Sequence, residues 1–347
     1  MKGKKITGKL LISNLILIIA VVAFVTLYTK VFGSANNLIG VCVITAMLMF
    51  VGVHLSLKLN EAILTTIGTF VFMGISTQIS SINPFLGLVV NFVSIFIISY
   101  LVTNKTETKA YLPFMLCYVF IEGTPITWSE LPVRLMALLV GGILISLVYY
   151  ISHRKKDDSD HMNISGMIKS IDKNSLQFNF SLRMAISVSL AMFLGSIMGV
   201  EKSMWISLTA MSITQPHYEE TKTRVKERFF GTLIGSVIFI VLFGYIFPPE
   251  YSTLVLLLLS YVYTFVNEYK IKIIFITMNA LGAAMILFNP SESIPMRIAF
   301  IAIGIGIALI VNKIIYGWYR LAEENKAIED ELKSNYAREL DKVSNDF

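Results

Sequence analysis

Charged residues are scarce in this sequence. Asp, Glu, Lys and Arg make up 15% of its 347 residues, whereas water-soluble domains carry about 25%. Hydrophobic residues make up 55%, which is more than a soluble chain of this length can bury in one or two cores. A water-soluble enzyme or binding domain is therefore excluded. The apolar residues also occur in unbroken blocks, a pattern that indicates membrane-spanning segments.

Cysteine and histidine are also rare. Cys42 and Cys117 both lie inside apolar runs, so they indicate neither a disulfide framework nor a metal site. The four histidines lack the spacing of metal ligands, and the sequence contains neither a G-x-S-x-G elbow nor a catalytic pair of carboxylates. We therefore expect no enzyme activity, no bound metal and no cofactor. The placement of the net charge of +6 does not indicate nucleic-acid binding.

Long apolar runs dominate what is present. A helix needs about 20 mostly apolar residues to cross a bilayer core of about 30 Å, and residues 10–29 meet this requirement without a charge. Strands are excluded, because the runs do not alternate as they do in a membrane barrel. The sequence predicts an all-α polytopic membrane protein with about twelve transmembrane helices. The spans are expected near residues 10–32, 37–57, 61–79, 84–103, 110–122, 131–152, 181–199, 204–216, 229–248, 251–267, 271–289 and 294–316.

The Lys and Arg residues indicate how these spans are oriented. In membrane proteins they concentrate in short cytoplasmic segments. With a cytoplasmic N-terminus, 25 of the 29 fall in cytoplasmic segments. The exceptions are Lys30, Arg134, Lys202 and Arg297. We therefore predict a multi-pass protein of the plasma or inner membrane with both termini in the cytoplasm.

Two passages indicate an internal repeat. SELPVR at 129–134 precedes an apolar helix that contains Gly141, and SESIPMR at 291–297 precedes one that contains Gly304. An even number of spans gives both halves the same orientation, which predicts two parallel six-helix repeats, a plan found in secondary transporters. Chance similarity between apolar helices is the alternative. The predicted divisions are a first transmembrane half at 1–152, a cytoplasmic linker at 153–180, a second transmembrane half at 181–317 and a cytoplasmic C-terminal helix at 318–347.

The apolar segment 204–216 is unusually short. It would form about 20 Å of helix, which does not cross the hydrocarbon unaided. Gln215-Pro216 ends it, because proline cannot continue the hydrogen-bond ladder. Short or proline-interrupted segments point to the binding region of a transporter. The alternative is an ordinary short span completed by polar interfacial residues.

The helix that follows this break carries a polar face. Arg224, Arg228, Gly231, Thr232 and Gly235 recur at spacings of three and four, which places them on one side of a helix. The G-x-x-x-G pair, Gly231 and Gly235, predicts close helix packing. Because guanidinium groups bind carboxylates through paired hydrogen bonds, Arg224 and Arg228 are predicted to bind organic anions at the cytoplasmic mouth. The alternative is that both are positive-inside anchors.

Four further charged residues lie near the ends of predicted spans. Arg134 and Arg297 each follow a proline by two residues near an outer end. Interfacial snorkelling is the favoured interpretation, and their matched places make exit-side anion contacts the alternative. Glu61 and Glu201 are candidate proton carriers, with exposed interfacial positions as the favoured interpretation.

The motifs of the second half resemble those of a known family. W-I-S-L-T-A at 205–210, Pro216, and T-x-x-R-x-x-x-R-x-x-G-T-x-x-G at 221–235 are similar to the signature of the fusaric acid resistance and aromatic acid exporter family. The match covers about 181–250. The resemblance implies export of aromatic or other carboxylates, driven by the proton gradient. The chain departs from larger members in lacking a sizeable soluble domain between its halves, and residues 74–90 lack a copy of the Arg-Gly-Thr motif.

Together these features predict a secondary transporter that exports small organic anions by alternating access between its halves. Its expected partners are membrane lipid and a small organic anion, and a homo-oligomer is left open. The alternatives are an anion channel and a non-transporting membrane scaffold in envelope assembly. The predicted substrate-binding residues, including those that line the path and mark the break, are Arg224, Arg228, Trp205, Thr209, Gln215, Pro216 and Thr232.

Overall fold

The chain is almost entirely helical. The computed structural model describes residues 7–155, 162–169, 171–200, 202–284 and 290–345, with the backbone alone for residues 249, 290 and 291 and beyond residue 320. Within these ranges a single β-bridge joins Leu57 to Met162. The prediction of an all-α architecture is confirmed.

Six helices form the first half, and each overlaps one of the first six predicted spans. They are α1 (Gly8–Phe32), α2 (Asn37–Phe50), α3 (Leu59–Ser80), α4 (Pro84–Val102), α5 (Leu112–Glu122) and α6 (Leu131–His153). Proline stands in the first turn of α4, α5 and α6. At that place its missing N–H has no intrahelical partner to lose, so proline favours the start of a helix.

The second half begins after a short helix in the predicted linker, α7 (Ile164–Lys169). Its six helices again overlap the predicted spans. They are α8 (Leu176–Met198), α9 (Met204–Ile213), α10 (Tyr218–Val241), α11 (Ser252–Tyr263), α12 (Tyr269–Ala284) and α13 (Pro290–Asn345). A π-helical turn, Leu242–Ile246, extends α10.

Seven of these helices are long and apolar enough to span a membrane. They are α1, α3, α4, α6, α8, α10 with its extension, and Glu292–Arg320 of α13. By contrast, α2, α5, α9 and α11 belong to apolar helices of 10–17 residues. At 1.5 Å per residue these measure about 15–25 Å, less than the hydrocarbon thickness. The multi-pass helical class is therefore confirmed, whereas twelve full spans in a repeat arrangement stay a prediction.

Two helices begin five or more residues before their predicted spans. The helix α8 begins at Leu176, where the Ser175 side chain accepts a hydrogen bond from the Phe178 N–H. The helix α10 begins at Tyr218, eleven residues before the predicted span. The polar residues after 217 favour a helix start because acidic groups in the first turn complement the helix dipole. Arg183 and Arg228 therefore lie well inside helices rather than in cytoplasmic loops.

The packing of the helices places α9 at the centre of the second half. The two halves meet mainly along α4 and α8, and α9 packs against α8, α10 and α13 as well as α5 of the first half. A second contact between the halves joins α1 to the end of α11, where the Asn14 side-chain amide donates to the Thr264 hydroxyl at 3.0 Å. The short central helix thus borders both halves.

The last span and the predicted C-terminal helix are one continuous helix. The backbone of α13 runs from Pro290 to Asn345, with Pro295 in its second turn. Part of the predicted linker, residues 156–161 and 170, lies outside the described residues, as does Glu201. The domain divisions and the cytoplasmic termini stay predictions.

Candidate functional site

A cavity of about 420 Å³ lies beside α9. We call it the arginine pocket, because its charged side chains are Arg228, Arg297 and Lys202 in otherwise mainly apolar and aromatic walls. No carboxylate among the described residues lines it. The lining consists of Leu38, Leu116, Phe120, Lys202, Met204, Trp205, Leu208, Met211, Ser212, Arg228, Tyr269, Ile273, Ile276, Ala280, Ala283, Ala284 and Arg297.

Two guanidinium groups in this pocket form no ion pair with a carboxylate among the described residues. Arg228 is 7% exposed and Arg297 is 3% exposed. The Nε atom of each has no hydrogen-bond partner among the described residues, and the two charges are close enough to repel each other. Burying a charge without a partner costs several kcal/mol by rough estimate. The arrangement therefore favours an anion in the pocket.

The lengths of α9 and α10 explain why these two arginines meet. The ten residues of α9 measure about 15 Å, and the ten residues from the start of α10 to Arg228 measure about the same. Because a short loop connects α9 to α10, Arg228 reaches the level of Trp205 at the start of α9. From sequence, Arg228 is predicted at the cytoplasmic mouth and Arg297 at the outer end. The structure instead brings both to one cavity.

Two arginine side chains lie over aromatic rings. The Arg297 Cζ atom lies 4.7 Å from the centroid of the Trp205 ring, a cation–π distance. The Arg224 Cζ atom lies 3.6 Å from the centroid of the Tyr269 ring, and its Nη1 atom lies 3.9 Å from Glu227 Oε2. Tyr269 lines the pocket, whereas Arg224 does not. Of the two arginines predicted to bind the anion, only Arg228 is placed in the pocket.

Close packing of α10 on α12 forms one wall. A Cβ atom on Gly235 would lie 2.8 Å from the Ile274 carbonyl oxygen, and one on Gly231 would lie 2.8 Å from Ile273 Cγ2. Only glycine permits this approach, because any side chain would displace the backbone of α12. The contact holds Tyr269 and Ile273 beside the pocket.

A buried arginine that the sequence does not reveal holds the break between α9 and α10. Arg183 is fully buried and donates to the carbonyl oxygens of Gln215 (2.9 Å) and Pro216 (2.6 Å). It also donates to the side-chain oxygens of Asn179 (2.7 Å) and Asn312 (2.8 Å). These bonds give hydrogen-bond donors to buried carbonyl oxygens of the loop between α9 and α10. Asn179, four residues earlier on the same helix, is the signal that indicates a buried role for Arg183.

The other residues predicted to line the path lie outside the arginine pocket. The Thr209 hydroxyl donates to the Trp205 carbonyl oxygen at 2.7 Å. Thr232 is buried on α10. Gln215 and Pro216 form the break itself, and Lys109 Nζ donates to Gln215 Oε1 at 3.3 Å. The structure thus places Trp205 in the cavity with the arginines. The cavity lining does not include Thr209, Thr232, Gln215 or Pro216.

Arg134 has a different environment from Arg297. Its Nη1 atom donates to the Thr124 carbonyl oxygen (2.7 Å), and its Nη2 atom donates to the Ala35 carbonyl oxygen (2.9 Å). Its Nε atom donates to Asn36 Oδ1 (3.1 Å). These bonds connect α6 to the turn before α2 and the loop after α5. The role as an exit-side anion contact stays a prediction for Arg134.

A second, polar cavity of about 760 Å³ lies next to the arginine pocket. We call it the polar chamber. Its lining comes from the end of α3, the loop after α5, and the loop between α8 and α9, and it includes Gln78, Glu122 and Lys202. Glu122 was not among the candidate proton carriers predicted from the sequence, which were Glu61 and Glu201. The Glu61 Oε2 atom accepts a hydrogen bond from the Ile164 N–H at 3.2 Å.

Comparison with known proteins supports the resemblance seen in the motifs. Residues 190–311 match the family model described as fusaric acid resistance protein-like. The match covers about a third of the chain. The family prediction is therefore confirmed, and with the seven spanning helices it shows a multi-pass membrane protein.

Three relatives show how far the similarity extends. The inner membrane protein YccS of Escherichia coli is 28% identical over 194 residues, which are 54% of this chain and 27% of that protein. An uncharacterized protein of Haemophilus influenzae is 26% identical over 50% of the chain and 25% of its own length. The uncharacterized protein ORF2 of Neisseria gonorrhoeae is 28% identical over 38% of the chain and 32% of its own length. Each match thus covers a third or less of the relative, and no solved structure matches the chain.

The fusaric acid resistance protein-like segment contains the core of the arginine pocket. Trp205, Arg228 and Arg297 all fall within residues 190–311. Arg183, which holds the break, and Glu122 of the polar chamber lie outside it. The family match and the uncompensated charges therefore coincide in one part of the molecule.

Proposed function

We propose that the chain is a secondary transporter that exports small organic anions, aromatic or other carboxylates, and that Arg228 and Arg297 bind the anion. The observation that carries the proposal is the pair of buried guanidinium groups in an apolar cavity whose described lining includes no carboxylate. The family of the second half, fusaric acid resistance protein-like, supports the same assignment.

The chemistry of the pocket suits an amphipathic anion. A carboxylate accepts paired hydrogen bonds from a guanidinium group, and the unpartnered Nε atoms of Arg228 and Arg297 supply donors. The apolar walls and the Trp205 ring bury the organic body of the ligand. A volume of about 420 Å³ lies within the range of about 300–1,000 Å³ common for small-molecule sites. Binding places one negative charge beside two positive charges that otherwise repel each other.

Transport requires the pocket to open to each side in turn. In our proposal the two halves move against each other, the proton gradient drives export, and both termini lie in the cytoplasm. The inner membrane relative of Escherichia coli supports placement in the inner or plasma membrane. An anion channel would use the same pocket but would carry the anion down its electrochemical gradient without proton coupling.

The test is efflux of preloaded benzoate and 2-naphthoate from cells that express the chain, with and without a protonophore. We expect efflux to be faster than in cells without the chain and to slow with the protonophore. The Arg228→Gln/Arg297→Gln double variant should lower it at least tenfold, because an uncharged amide cannot pair with the carboxylate.

A matched charge removal controls this measurement. Arg154 is exposed and lies over the Tyr150 ring at 5.9 Å, so Arg154→Gln should leave efflux unchanged. If the double variant is present in the membrane and exports at the full rate, the pocket does not bind the substrate. Efflux that resists the protonophore and follows the anion gradient would identify a channel.

A further inference from the structure

The arginine pocket and the polar chamber share one thin wall. Leu38, Lys202, Met204 and Ala283 line both cavities. They come from α2, the loop before α9, the start of α9, and α12. The wall is therefore made of side chains from both halves of the chain, and no whole helix separates the two spaces.

The polar chamber differs from its surroundings in chemistry. Hydroxyl and amide side chains, among them Thr77, Gln78 and Ser80, line it from the last turn of α3. In a membrane bundle, polar side chains and irregular backbone at such a place line water-filled space or are buried in protein. The chamber lies where α3, α5 and α8 end, and the charge pattern predicts that end to be the outer side.

Lys202 is a positively charged residue that borders both cavities. Its backbone adopts the left-handed conformation (φ 59°), which is uncommon for a residue with a side chain. Next to it, Met204 is unbranched and adaptable, so its side chain can change rotamer at small cost. An anion that leaves the two arginines therefore meets a cation and a deformable side chain at the wall.

We infer that the arginine pocket and the polar chamber are two compartments of one substrate route, and that the anion crosses the wall between Leu38, Lys202 and Met204. This inference rests on the proposed function and adds to it a direction of exit. The apolar pocket binds the organic body, and the polar chamber solvates the anion on its way out. Arg134 and Glu122 also line the chamber, and the donors of Arg134 already bond backbone and Asn36 oxygens.

A bulky residue in the wall tests this route. In purified protein reconstituted into lipid vesicles, Leu38→Trp should lower 2-naphthoate transport at least tenfold and should weaken equilibrium binding of 2-naphthoate much less than transport, because Leu38 lies at the edge of the arginine pocket. The matched control is Leu48→Trp on the same helix, at a position that is 46% exposed. That variant should transport at the wild-type rate.

The outcomes separate the route from the function. If the wild-type chain does not bind 2-naphthoate, the proposed function fails. If it binds and Leu38→Trp transports at the wild-type rate, only the route is overturned. Loss of binding in Leu38→Trp would also overturn the route, because the wall would then belong to the binding site itself. Lys202→Asn should slow transport several-fold with binding retained. Asparagine is chosen because it tolerates the left-handed backbone conformation.

Access of water to the chamber is measured without substrate. A membrane-impermeant, negatively charged thiosulfonate should react with Ser80→Cys, which lines the chamber, at least ten times faster than with Ser99→Cys, which is fully buried on α4. The native Cys42 and Cys117 are buried and give the background. Equal rates for the two variants would show that the chamber is closed to water and would overturn the route.

Discussion

Arg134 and Arg297 occupy matched places in the two halves and have different surroundings. Each follows a proline by two residues and precedes a glycine by seven. The guanidinium of Arg134 bonds two carbonyl oxygens and Asn36 Oδ1 at the start of α2. The guanidinium of Arg297 lies over Trp205 at the start of α9, and its Nε atom is unpaired among the described residues.

The difference lies in the neighbouring acceptors, not in the arginine itself. In the first half, Ala35 and Thr124 offer carbonyl oxygens that accept hydrogen bonds from the buried guanidinium group. In the second half, an indole ring takes the place of those oxygens. Under the proposed function, Arg134 stabilises the fold and the open donor of Arg297 binds the ligand.

The largest expected effect is on the stability of the first half. Arg134→Met should lower the free energy of unfolding by roughly 3 kcal/mol or more, because several buried oxygens lose their partners at about 1–3 kcal/mol each. Thermal unfolding in detergent measures this effect, with Arg154→Met as the exposed control. A variant as stable as wild type would show that the bonds of Arg134 are not structural.

A second prediction concerns the glycines that follow these arginines. A Cβ atom on Gly304 would lie 2.7 Å from the Ile206 carbonyl oxygen, whereas one on Gly141 would meet the Val43 side chain. Gly304→Ala should cost about 1–3 kcal/mol and more than Gly141→Ala, because a backbone atom cannot move aside. Gly306→Ala, which meets no atom within 4 Å, should be neutral in the same unfolding measurement. An equal loss in all three variants would contradict this account.

The third prediction is a gain in stability, opposite to the loss expected for Arg134→Met. Arg297→Met should raise the stability of the ligand-free protein by about 1 kcal/mol, since it removes one of two buried like charges. It should also abolish the stabilisation that 2-naphthoate gives the wild-type protein. Thermal unfolding with and without 2-naphthoate measures both effects. A loss of stability like that of Arg134→Met would mean that the two arginines have the same role.

The smallest effect is expected at the aromatic ring. Trp205→Leu should weaken 2-naphthoate binding about fivefold, which corresponds to about 1 kcal/mol, because the indole ring no longer packs against the aromatic rings of the ligand. Equilibrium binding to purified protein measures the change. Trp128→Leu, at a position that is 59% exposed, should bind as wild type does. Unchanged binding by Trp205→Leu would remove the ring from the site.

Much of the fold could be predicted because its causes are local. Apolar runs identify every long helix, and Gln215-Pro216 correctly separates α9 from α10. The errors also have a local cause. The charged residues from 217 to 228 were assigned to a cytoplasmic segment before the predicted span, although they form the first turns of α10 and are continuous with it. Arg228 was therefore predicted at the mouth of the path rather than ten residues along a helix.

The candidate site could be predicted only in part. Trp205 and Arg228 were predicted as binding residues and Arg297 as a candidate exit-side contact, and the structure places all three in the lining of one cavity. Arg183 was counted among the cytoplasmic charges, yet it is fully buried and bonds the break. Its partner Asn312 lies 129 residues away along the chain, so spacing along the sequence could not reveal the pair.

The sequence by itself determined the helical membrane class, the break and the family, because hydropathy and backbone hydrogen bonding act over a few neighbouring residues. The tertiary structure decided which arginines line the same cavity, which arginines have hydrogen-bond acceptors for their donors, and which cavities share a wall. Those properties depend on how far each helix is shifted along its neighbours. A shift of one turn, about 5.4 Å, would separate Arg228 from Arg297, and that shift is set by contacts between distant parts of the chain.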